Sequence, residues 1–179
     1  MADHPLVGGR FDSTTQDPYS FLYAAGDDAT AVAETLLRDL PFDERGGRLL
    51  ARRQLAGRCI GWMRTTQNLM LVSLRSGRDL AAIGQDGWLT AGPAAAYGMT
   101  RRWAAAIRVW DTEAAGMVWR PRLDPDGLAY VFFGDRCPAA AFMEQRGDAP
   151  LPPEDRELAS SAGRRYIERL LEEYRVAVV

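Results

Sequence analysis

The sequence predicts an α+β fold, with a single mixed-sheet domain over residues 1–179. Runs typical of strands and stripes typical of helices follow one another without the regular strand–helix–strand alternation of a doubly wound parallel sheet. A chain of 179 residues is long enough for one hydrophobic core and short for two. No GxGxxG opens a helix after the first strand and no GxxxxGK[ST] occurs, which argues against Rossmann and P-loop folds.

The order of the elements follows from apolar runs, helical stripes and turn residues. Strands are expected in an extended segment that starts at Leu6 and Val7 and carries Arg10, and then over 20–25, 57–64, 69–74, 115–119 and 128–133. Helices are expected over 28–40, 77–83, 94–110 and 153–175. Asp27 or Asp28 is the expected N-cap of the first helix, and Pro41 is its expected stop.

Two helical stripes predict which side chains face the core. In the helix over 94–110 the stripe is Ala96, Met99 or Thr100, Trp103, Ile107 and Trp110. In the helix over 153–175 it is Leu158, Ala162, Tyr166, Leu170 and Tyr174. Glu34 falls off the apolar stripe of the first helix, so it is expected either in solvent or facing a cleft.

Composition excludes several classes of function. The net charge of −2 gives no electrostatic case for binding nucleic acid directly. We find no leader-like N-terminus and no apolar run near 18 residues, so a cytoplasmic protein without a membrane segment is expected. The single histidine, His4, and the separated Cys59 and Cys137 argue against Ser-His-Asp, Cys-His and HExxH chemistry and against a metal site.

A group of arginines follows the first predicted helix. Its members are Arg45, Arg48, Arg52, Arg53 and Arg58. They are interpreted either as a solvated helix face, whose long stems cover apolar surface, or as a site for phosphates or a partner protein.

Several segments together resemble the RES domain family. They are GGRF at 8–11, LYAA at 22–25, AETLL at 33–37, YGMTRRWAAAI at 97–107, GMVWRPRL at 116–123 and LAYVFFGDR at 128–136. Their order along nearly the whole chain carries the resemblance. It implies a fold similar to that of ADP-ribosyltransferases and a role as the toxin of a bacterial toxin–antitoxin pair. It also implies that an Xre-like antitoxin is the partner, with a homodimer as a further possibility.

The resemblance further implies that NAD is the substrate. The expected reaction is NAD hydrolysis or phosphorolysis, with protein ADP-ribosylation and a degenerate, partner-binding domain as the alternatives. The family arginine, tyrosine and glutamate match Arg10, Tyr23 and Glu34, with Tyr19 as a second candidate for the tyrosine. The family serine position corresponds to Pro121, which has no hydroxyl.

Each of these residues would have a physical task in cleaving NAD. The positively charged nicotinamide leaves without a general acid, so the enzyme must hold the dinucleotide and stabilise an oxocarbenium-like ribose. Arg10 would grip the phosphates with its fork of donors, and Glu34 would stabilise the ribosyl cation, with Glu44 and Asp111 as alternative acids. The residues expected to contact NAD are Gly9, Arg10, Phe11, Tyr23, Trp119 and Arg120.

Without the resemblance, the same residues have ordinary interpretations. Arg10 after two glycines would be an exposed strand residue, Tyr23 and Trp119 would be core, and Glu34 would be a solvated helix residue.

Overall fold

A computed structural model describes residues 8–179. The expected start of a strand at Leu6 and Val7 lies outside the described residues. In chain order the elements are β1 (Phe21–Ala25), α1 (Asp28–Val32) continued by a π-helical turn (Ala33–Leu37), β2 (Arg48–Leu50), a 3₁₀ turn (Arg52–Gln54), β3 (Met63–Thr65), β4 (Leu71–Leu74), α2 (Gly77–Ala82), α3 (Trp88–Ala91), a 3₁₀ turn (Ala94–Ala96), α4 (Tyr97–Trp110), β5 (Gly116–Trp119), β6 (Ala129–Phe133), β7 (Phe142–Glu144), a 3₁₀ turn (Pro153–Asp155), α5 (Ser161–Glu173) and β8 (Val176–Val178).

The chain divides into two compact units. Of the described residues, 8–27 and Asn68–Ala139 form the first, and Asp28–Gln67 and Ala140–Val179 form the second. The prediction of one domain over residues 1–179 is not tested by this division and stays a prediction. Among the described residues, none of the helices combines the length and the apolar character that crossing a bilayer requires.

The first unit contains a four-stranded sheet in the order β1–β6–β5–β4. β6 runs antiparallel to both β1 and β5, whereas β4 runs parallel to β5. The predicted α+β class with a mixed sheet is therefore confirmed. Strands β4, β5 and β6 lie within the segments predicted from their apolar runs.

The strand registers place the core of this unit on one face of the sheet. Tyr23 lies opposite Val131, which in turn lies opposite Met117 on β5. Since side chains alternate along a strand, these three share a face. The buried residues of this core are Phe11, Tyr19, Leu74, Leu80, Leu89, Ala104, Ile107, Met117, Trp119, Ala129, Val131 and Phe133.

The buried face of α4 differs from the predicted stripe. Its buried residues are Tyr97, Thr100, Arg101, Ala104, Ile107 and Arg108. Thr100 and Ile107 are buried as predicted, whereas Met99, the alternative to Thr100, and Trp110 are 54% and 60% exposed. The predicted stripe also leaves out the arginines, and two of them face inward here with hydrogen-bond partners for their guanidinium groups.

In the second unit, two pairs of strands accompany the helices. β2 pairs in parallel with β8, and β3 pairs with β7 in antiparallel orientation. The predicted segments 57–64 and 69–74 are therefore not neighbours in one sheet, because β3 pairs with β7 while β4 pairs with β5 in the other unit. The strands β2, β7 and β8, of three residues each, were not predicted.

The last helix is shorter than predicted and faces inward with different residues. Ser160 caps α5 by accepting a hydrogen bond from Gly163 N at 3.0 Å, so the helix begins well after Pro153. Its buried positions are Gly163, Ile167 and Leu171, one residue later than the predicted stripe. A Cβ at Gly163 would lie 2.1 Å from the Glu157 carbonyl oxygen, so this contact requires glycine, which apolar periodicity does not detect.

The first helix also differs from its prediction. It is α-helical only over Asp28–Val32, becomes π-helical over Ala33–Leu37 and ends before Pro41. Glu34 is half-buried, while Ala33, Leu36 and Leu37 are buried, so the prediction that Glu34 lies off the apolar stripe is confirmed.

The arginine group does not form a helix face. Its members occupy a turn, the strand β2, the 3₁₀ turn and the segment after it. Arg48 is buried on β2, and its guanidinium carbon lies 3.9 Å from the centre of the Phe42 ring. The other four are exposed, which fits the snorkelling of long basic side chains.

One buried arginine joins three segments of the first unit. Arg108 on α4 donates from Nε to Asp17 at 2.8 Å and from Nη2 to Asp135 at 2.7 Å. Its guanidinium carbon also lies 3.9 Å from the centre of the Tyr19 ring. Arg108 therefore fixes α4 to the loop before β1 and to the turn after β6.

We expect the Asp135 pair to make the protein sensitive to acid. The hydrogen bond from Arg108 lowers the pKa of the Asp135 carboxyl below its ordinary value. A carboxyl with a depressed folded-state pKa adds stability above its unfolded-state pKa, near 4, and that contribution disappears as the pH falls through the folded-state value. Urea unfolding between pH 3 and pH 7 should show a smaller acid-dependent loss for Asp135→Asn than for the original protein. The control is Asp148→Asn at an exposed position, and an equal loss in both variants would contradict the expectation.

Candidate functional site

The site is organised around a turn at Gly8–Asp12 in the first unit. Gly8 has a φ of +91°, a conformation that side chains other than glycine rarely adopt. A Cβ at Gly9 would lie 2.6 Å from Asp12 Oδ1 and 2.7 Å from the Tyr23 hydroxyl oxygen. The two glycines are therefore required by the approach of Asp12 and Tyr23. Arg10 lies in this turn and not on the strand that was expected.

Side chains satisfy the backbone groups of this turn. The hydrogen bonds that hold it are Gly9 N to Asp12 Oδ2 at 2.7 Å, Arg101 Nε to Gly9 O at 3.1 Å, Thr100 Oγ1 to Arg10 O, Phe11 N to the Tyr23 hydroxyl at 2.8 Å, and the Tyr19 hydroxyl to Phe11 O at 2.9 Å. A buried segment without regular secondary structure must pair its backbone in this way or lose stability. Neighbouring elements therefore fix the shape of the turn.

Arg10 is buried and holds the end of α3. Only 7% of its surface is exposed. Its Nη1 donates to Leu89 O at 3.3 Å and its Nη2 donates to Gly92 O at 2.9 Å, while the guanidinium carbon lies 5.0 Å from the centre of the Tyr97 ring. The expectation of an exposed Arg10 was wrong, because the turn directs the side chain inward.

Tyr23 links the turn to the sheet. Tyr23 is half-buried, and its hydroxyl donates to Asp12 Oδ1 at 2.9 Å while accepting from Phe11 N. The pKa of Tyr23 is raised well above its ordinary value, mainly by burial and to a smaller extent by the nearby Asp12 carboxylate. The phenol therefore stays protonated at neutral pH and acts as a hydrogen-bond donor. Tyr19, the alternative tyrosine, is a buried core residue that holds Phe11 O.

Phe11 and Trp119 pack beside Tyr23. The ring centres of Phe11 and Trp119 are 5.1 Å apart, and those of Tyr23 and Trp119 are 6.3 Å apart, both in edge-to-face contact. Both Phe11 and Trp119 are core residues, with 0% and 1% of their surfaces exposed. The Trp119 indole nitrogen is buried and has no hydrogen-bond partner among the described residues. A buried donor of this kind costs stability and calls for a functional explanation.

Arg120 and Pro121 follow directly after Trp119 at the end of β5. Arg120 is exposed, and its Nη1 donates to the carbonyl oxygens of Pro125 at 2.7 Å and Asp126 at 3.2 Å, which closes the loop after β5. Pro121 is buried. The structure thus brings together Gly9, Arg10, Phe11, Tyr23 and Trp119, whereas Arg120 is bound to its own loop.

Glu34 belongs to the second unit, and its role beside Arg10 and Tyr23 stays a prediction. Within that unit its helix is anchored at the first residue, Asp28. The Trp62 indole donates to Asp28 Oδ1 at 2.7 Å, and the Tyr166 hydroxyl donates to Asp28 Oδ2. The pKa of Tyr166 is raised, mainly by burial and to a smaller extent by the hydrogen bond to Asp28. Asp28 therefore fixes the N-terminal end of the segment that carries Glu34.

The two alternative acids lie in different environments. Glu44 is exposed in the segment before β2. Asp111 Oδ1 accepts hydrogen bonds from the Glu113 and Ala114 backbone, each at 3.1 Å, which makes it the cap of the turn after α4.

A groove of about 710 Å³ runs along α4 in the first unit. Its walls are Thr14, Thr15, Gln16, Asp17, Gly98, Arg101, Arg102, Ala105, Ala106 and Val109. Arg101 connects this groove with the turn, because its Nε donates to Gly9 O. The groove and the Arg10 turn are thus built on the same helix.

Comparison with known proteins assigns the chain to a family. A family model described as RES domain matches residues 1–172. The chain belongs to the RES domain family. No curated protein and no solved structure matches it.

Three residues of this RES domain site were missed by sequence reasoning. Asp12, Tyr97 and Arg101 all contact the turn, yet none was named as a site residue. Asp12 directly follows the GGRF segment, and Tyr97 and Arg101 are four residues apart on one helix face. The spacing of Tyr97 and Arg101 would have indicated both residues only if the buried face of α4 had been expected to include an arginine.

Replacing Tyr23 with phenylalanine should destabilise this RES domain. The change leaves Phe11 N without its acceptor and Asp12 Oδ1 without the donor that Tyr23 supplies, at a cost of about 1–3 kcal/mol. Urea unfolding measures the effect. The matched control is Tyr130→Phe on β6, whose ring stacks on Phe132. Equal stabilities of the two variants would show that the Tyr23 hydroxyl does not hold the turn.

Proposed function

We propose that this RES domain consumes NAD by cleaving the nicotinamide–ribose bond through hydrolysis or phosphorolysis, as the toxin of a bacterial type II toxin–antitoxin pair. The observation that carries the proposal is the family match over residues 1–172. Its support from the fold is the cluster of Gly9, Arg10, Phe11, Tyr23 and Trp119 in the first unit.

The chemistry of NAD cleavage fits the residues at hand. Nicotinamide leaves as a neutral molecule, so the reaction does not need a general acid. The enzyme must instead bind the substrate firmly and stabilise the ribosyl cation. Trp119 supplies an indole N–H without a partner among the described residues, and Tyr23, whose O–H is donated to Asp12, holds the turn beside it. A hydrogen-bond donor of this type suits the carboxamide and ribose oxygens of NAD. Glu34 is the acid proposed to stabilise the ribosyl cation.

A non-enzymatic role is the second candidate. Pro121 stands at the position where the family resemblance implies serine, and it is buried and carries no hydroxyl. Arg10 also uses its guanidinium on the Leu89 and Gly92 carbonyl groups. Both observations favour a RES domain that binds a partner without turning over NAD.

Nicotinamide release separates the two candidates. Purified protein is incubated with NAD, with and without inorganic phosphate, and free nicotinamide is followed by chromatography. Release that accelerates with phosphate indicates phosphorolysis, and release that does not depend on phosphate indicates hydrolysis. If the folded protein releases no nicotinamide, the partner-binding role is the candidate that remains.

The proposed partner is an Xre-like antitoxin. A host that makes a free NAD-consuming enzyme would lose NAD, so the antitoxin should block the site or keep the enzyme inactive. The exposed arginines Arg45, Arg52, Arg53 and Arg58 offer it a basic surface. Co-expression with the neighbouring gene should restore growth, whereas growth arrest that no neighbouring gene relieves would count against a toxin–antitoxin pair.

Arg10→Lys should lower NAD turnover and stability together. Lysine cannot bridge two carbonyl oxygens with a planar fork, so the end of α3 loses a contact worth about 1–3 kcal/mol. The control is Arg136→Lys, because Arg136 likewise donates to two carbonyl oxygens, those of Asp111 and Arg108. Turnover is compared at a temperature where both variants are folded by circular dichroism. A site role requires a far larger loss of turnover for Arg10→Lys than for Arg136→Lys.

Glu34→Gln should lower kcat far more than it raises KM. The amide keeps the shape of the side chain but loses the negative charge that would stabilise the ribosyl cation in the transition state. A loss of about 10²–10³ in kcat is expected for one electrostatic stabiliser. Glu173→Gln, at an exposed position of α5, is the control. If Glu34→Gln turns over NAD at the original rate, Glu34 is a structural helix residue.

A further inference from the structure

The strand β1 forms one edge of the four-stranded sheet in the first unit. The strand order β1–β6–β5–β4 means that β1 pairs on one side, with β6. Next to β1, Gly134 N donates to Ser20 O at 2.7 Å, and Gly26 N donates to Leu128 O at 2.8 Å. In an antiparallel pair, residues that exchange hydrogen bonds with the neighbouring strand alternate with residues that do not. The even-numbered residues of β1 therefore turn their backbone groups toward β6, and the odd-numbered residues turn theirs outward.

The outward backbone groups of β1 are open to another strand. They are the amide and carbonyl groups of Phe21, Tyr23 and Ala25, and no hydrogen bond from residues 8–179 reaches them. Natural edge strands usually prevent further pairing with a charged side chain, a proline or a bulge. The strand FLYAA contains neither a charge nor a proline, and its register with β6 continues through all of its residues without a bulge.

Apolar side chains extend to this edge on both faces of the sheet. Phe21 is 39% exposed and Leu22 is 38% exposed, and they lie on opposite faces because side chains alternate along a strand. The Phe21 ring makes edge-to-face contacts with Tyr19 and Tyr23, with ring centres 6.2 and 5.7 Å apart. A strand added at this edge would cover apolar surface on both faces as well as pair the backbone groups.

The sequence of β1 is complementary to itself in one antiparallel register. A twofold axis at Tyr23 places Phe21 opposite Ala25 of a second copy, and Leu22 opposite Ala24 of that copy. Each large apolar side chain then meets a small one. The same register sets outward-facing residues opposite each other, so each such pair exchanges both of its N–H···O bonds. Since the strand has no charged residue, no like charges oppose one another.

We propose that two copies of this protein pair through β1 in antiparallel orientation, so that their four-stranded sheets join into one. Tyr23 lies at the axis, and its hydroxyl accepts from Phe11 N in the Gly8–Asp12 turn. The pairing therefore places the turns of the two copies on the same face of the joined sheet, on either side of the axis. Stable dimers bury about 800 Å² per partner, which is more than one short strand supplies, so the dimer is expected to be reversible.

Sedimentation velocity over a wide range of protein concentration tests the pairing. The original protein should change from monomer to dimer as its concentration rises. Leu22→Lys puts a charge on the edge, and Ala25→Pro removes an outward amide that β6 does not use. Each should move the transition to at least about tenfold higher concentration. Leu49→Lys, at an exposed position of β2, is the matched control and should leave the transition unchanged. Circular dichroism verifies folding, and Leu22→Lys alone is used if Ala25→Pro does not fold.

Cysteine cross-linking tests the register. In the proposed register Leu22 and Ala24 of opposing strands form a non-hydrogen-bonded pair, whose Cα atoms are about 4.5 Å apart and within reach of a disulfide. The background carries Cys59→Ser and Cys137→Ser. A mixture of the Leu22→Cys and Ala24→Cys proteins should cross-link on mild oxidation, and neither protein should cross-link with itself. A register shifted by two residues would instead cross-link one of the two proteins with itself.

The outcomes do not depend on NAD cleavage, because neither experiment measures turnover. A concentration-dependent dimer that the edge variants weaken, with a cross-link in the mixture alone, supports the proposal. A monomer at every concentration overturns it. A dimer that Leu22→Lys and Ala25→Pro leave unchanged also overturns it, because such a dimer uses another surface. Self-cross-linking of Leu22→Cys or of Ala24→Cys overturns the proposed register.

Discussion

The first unit depends on how the backbone of Gly9–Phe11 is paired. This segment is neither helix nor strand, and its amide and carbonyl groups are bound by the side chains of Asp12, Arg101, Thr100, Tyr23 and Tyr19. Those side chains come from the turn itself, from α4 and from β1 with the residues before it. Because buried backbone groups must be paired, the sheet and α4 can both pack on the turn only while these bonds are present.

The two residues of the turn region that the family resemblance marks also hold the fold. Arg10 ties α3 to the turn, and Tyr23 ties β1 to it, so both belong to the framework of the first unit. A loss of activity after substitution there has a structural explanation as well as a catalytic one. Substitution of exposed residues on the neighbouring groove, such as Arg102, leaves the core intact.

Sequence reasoning found elements where local chemistry decides the structure. α2 lies within the helix predicted over 77–83, and the structure shows a capping box of Ser76 and Asp79 at its start. The strands β5 and β6 were predicted from apolar runs. Sequence reasoning failed where tertiary contacts decide which residues are buried. The inward face of α4 includes Arg101 and Arg108, which apolar periodicity assigns to solvent. In the site, Arg10 and Tyr23 came from the family resemblance, whereas Asp12 was missed because its partners, Gly9 N and the Tyr23 hydroxyl, are brought to it only by folding.

The segment that carries Glu34 departs from regular α-helical geometry. A regular α-helix from Asp28 would place each residue 100° from the last, but the chain widens to a π-helical turn over Ala33–Leu37. Such turns occur mostly as short insertions and often at functional sites, since they rotate the residues that follow. Here the rotation keeps Leu36 and Leu37 buried and leaves Glu34 half-buried. Asp28, bound by Trp62 and Tyr166, fixes the N-terminal end of this segment, so side chains distant in sequence hold the helix that carries Glu34.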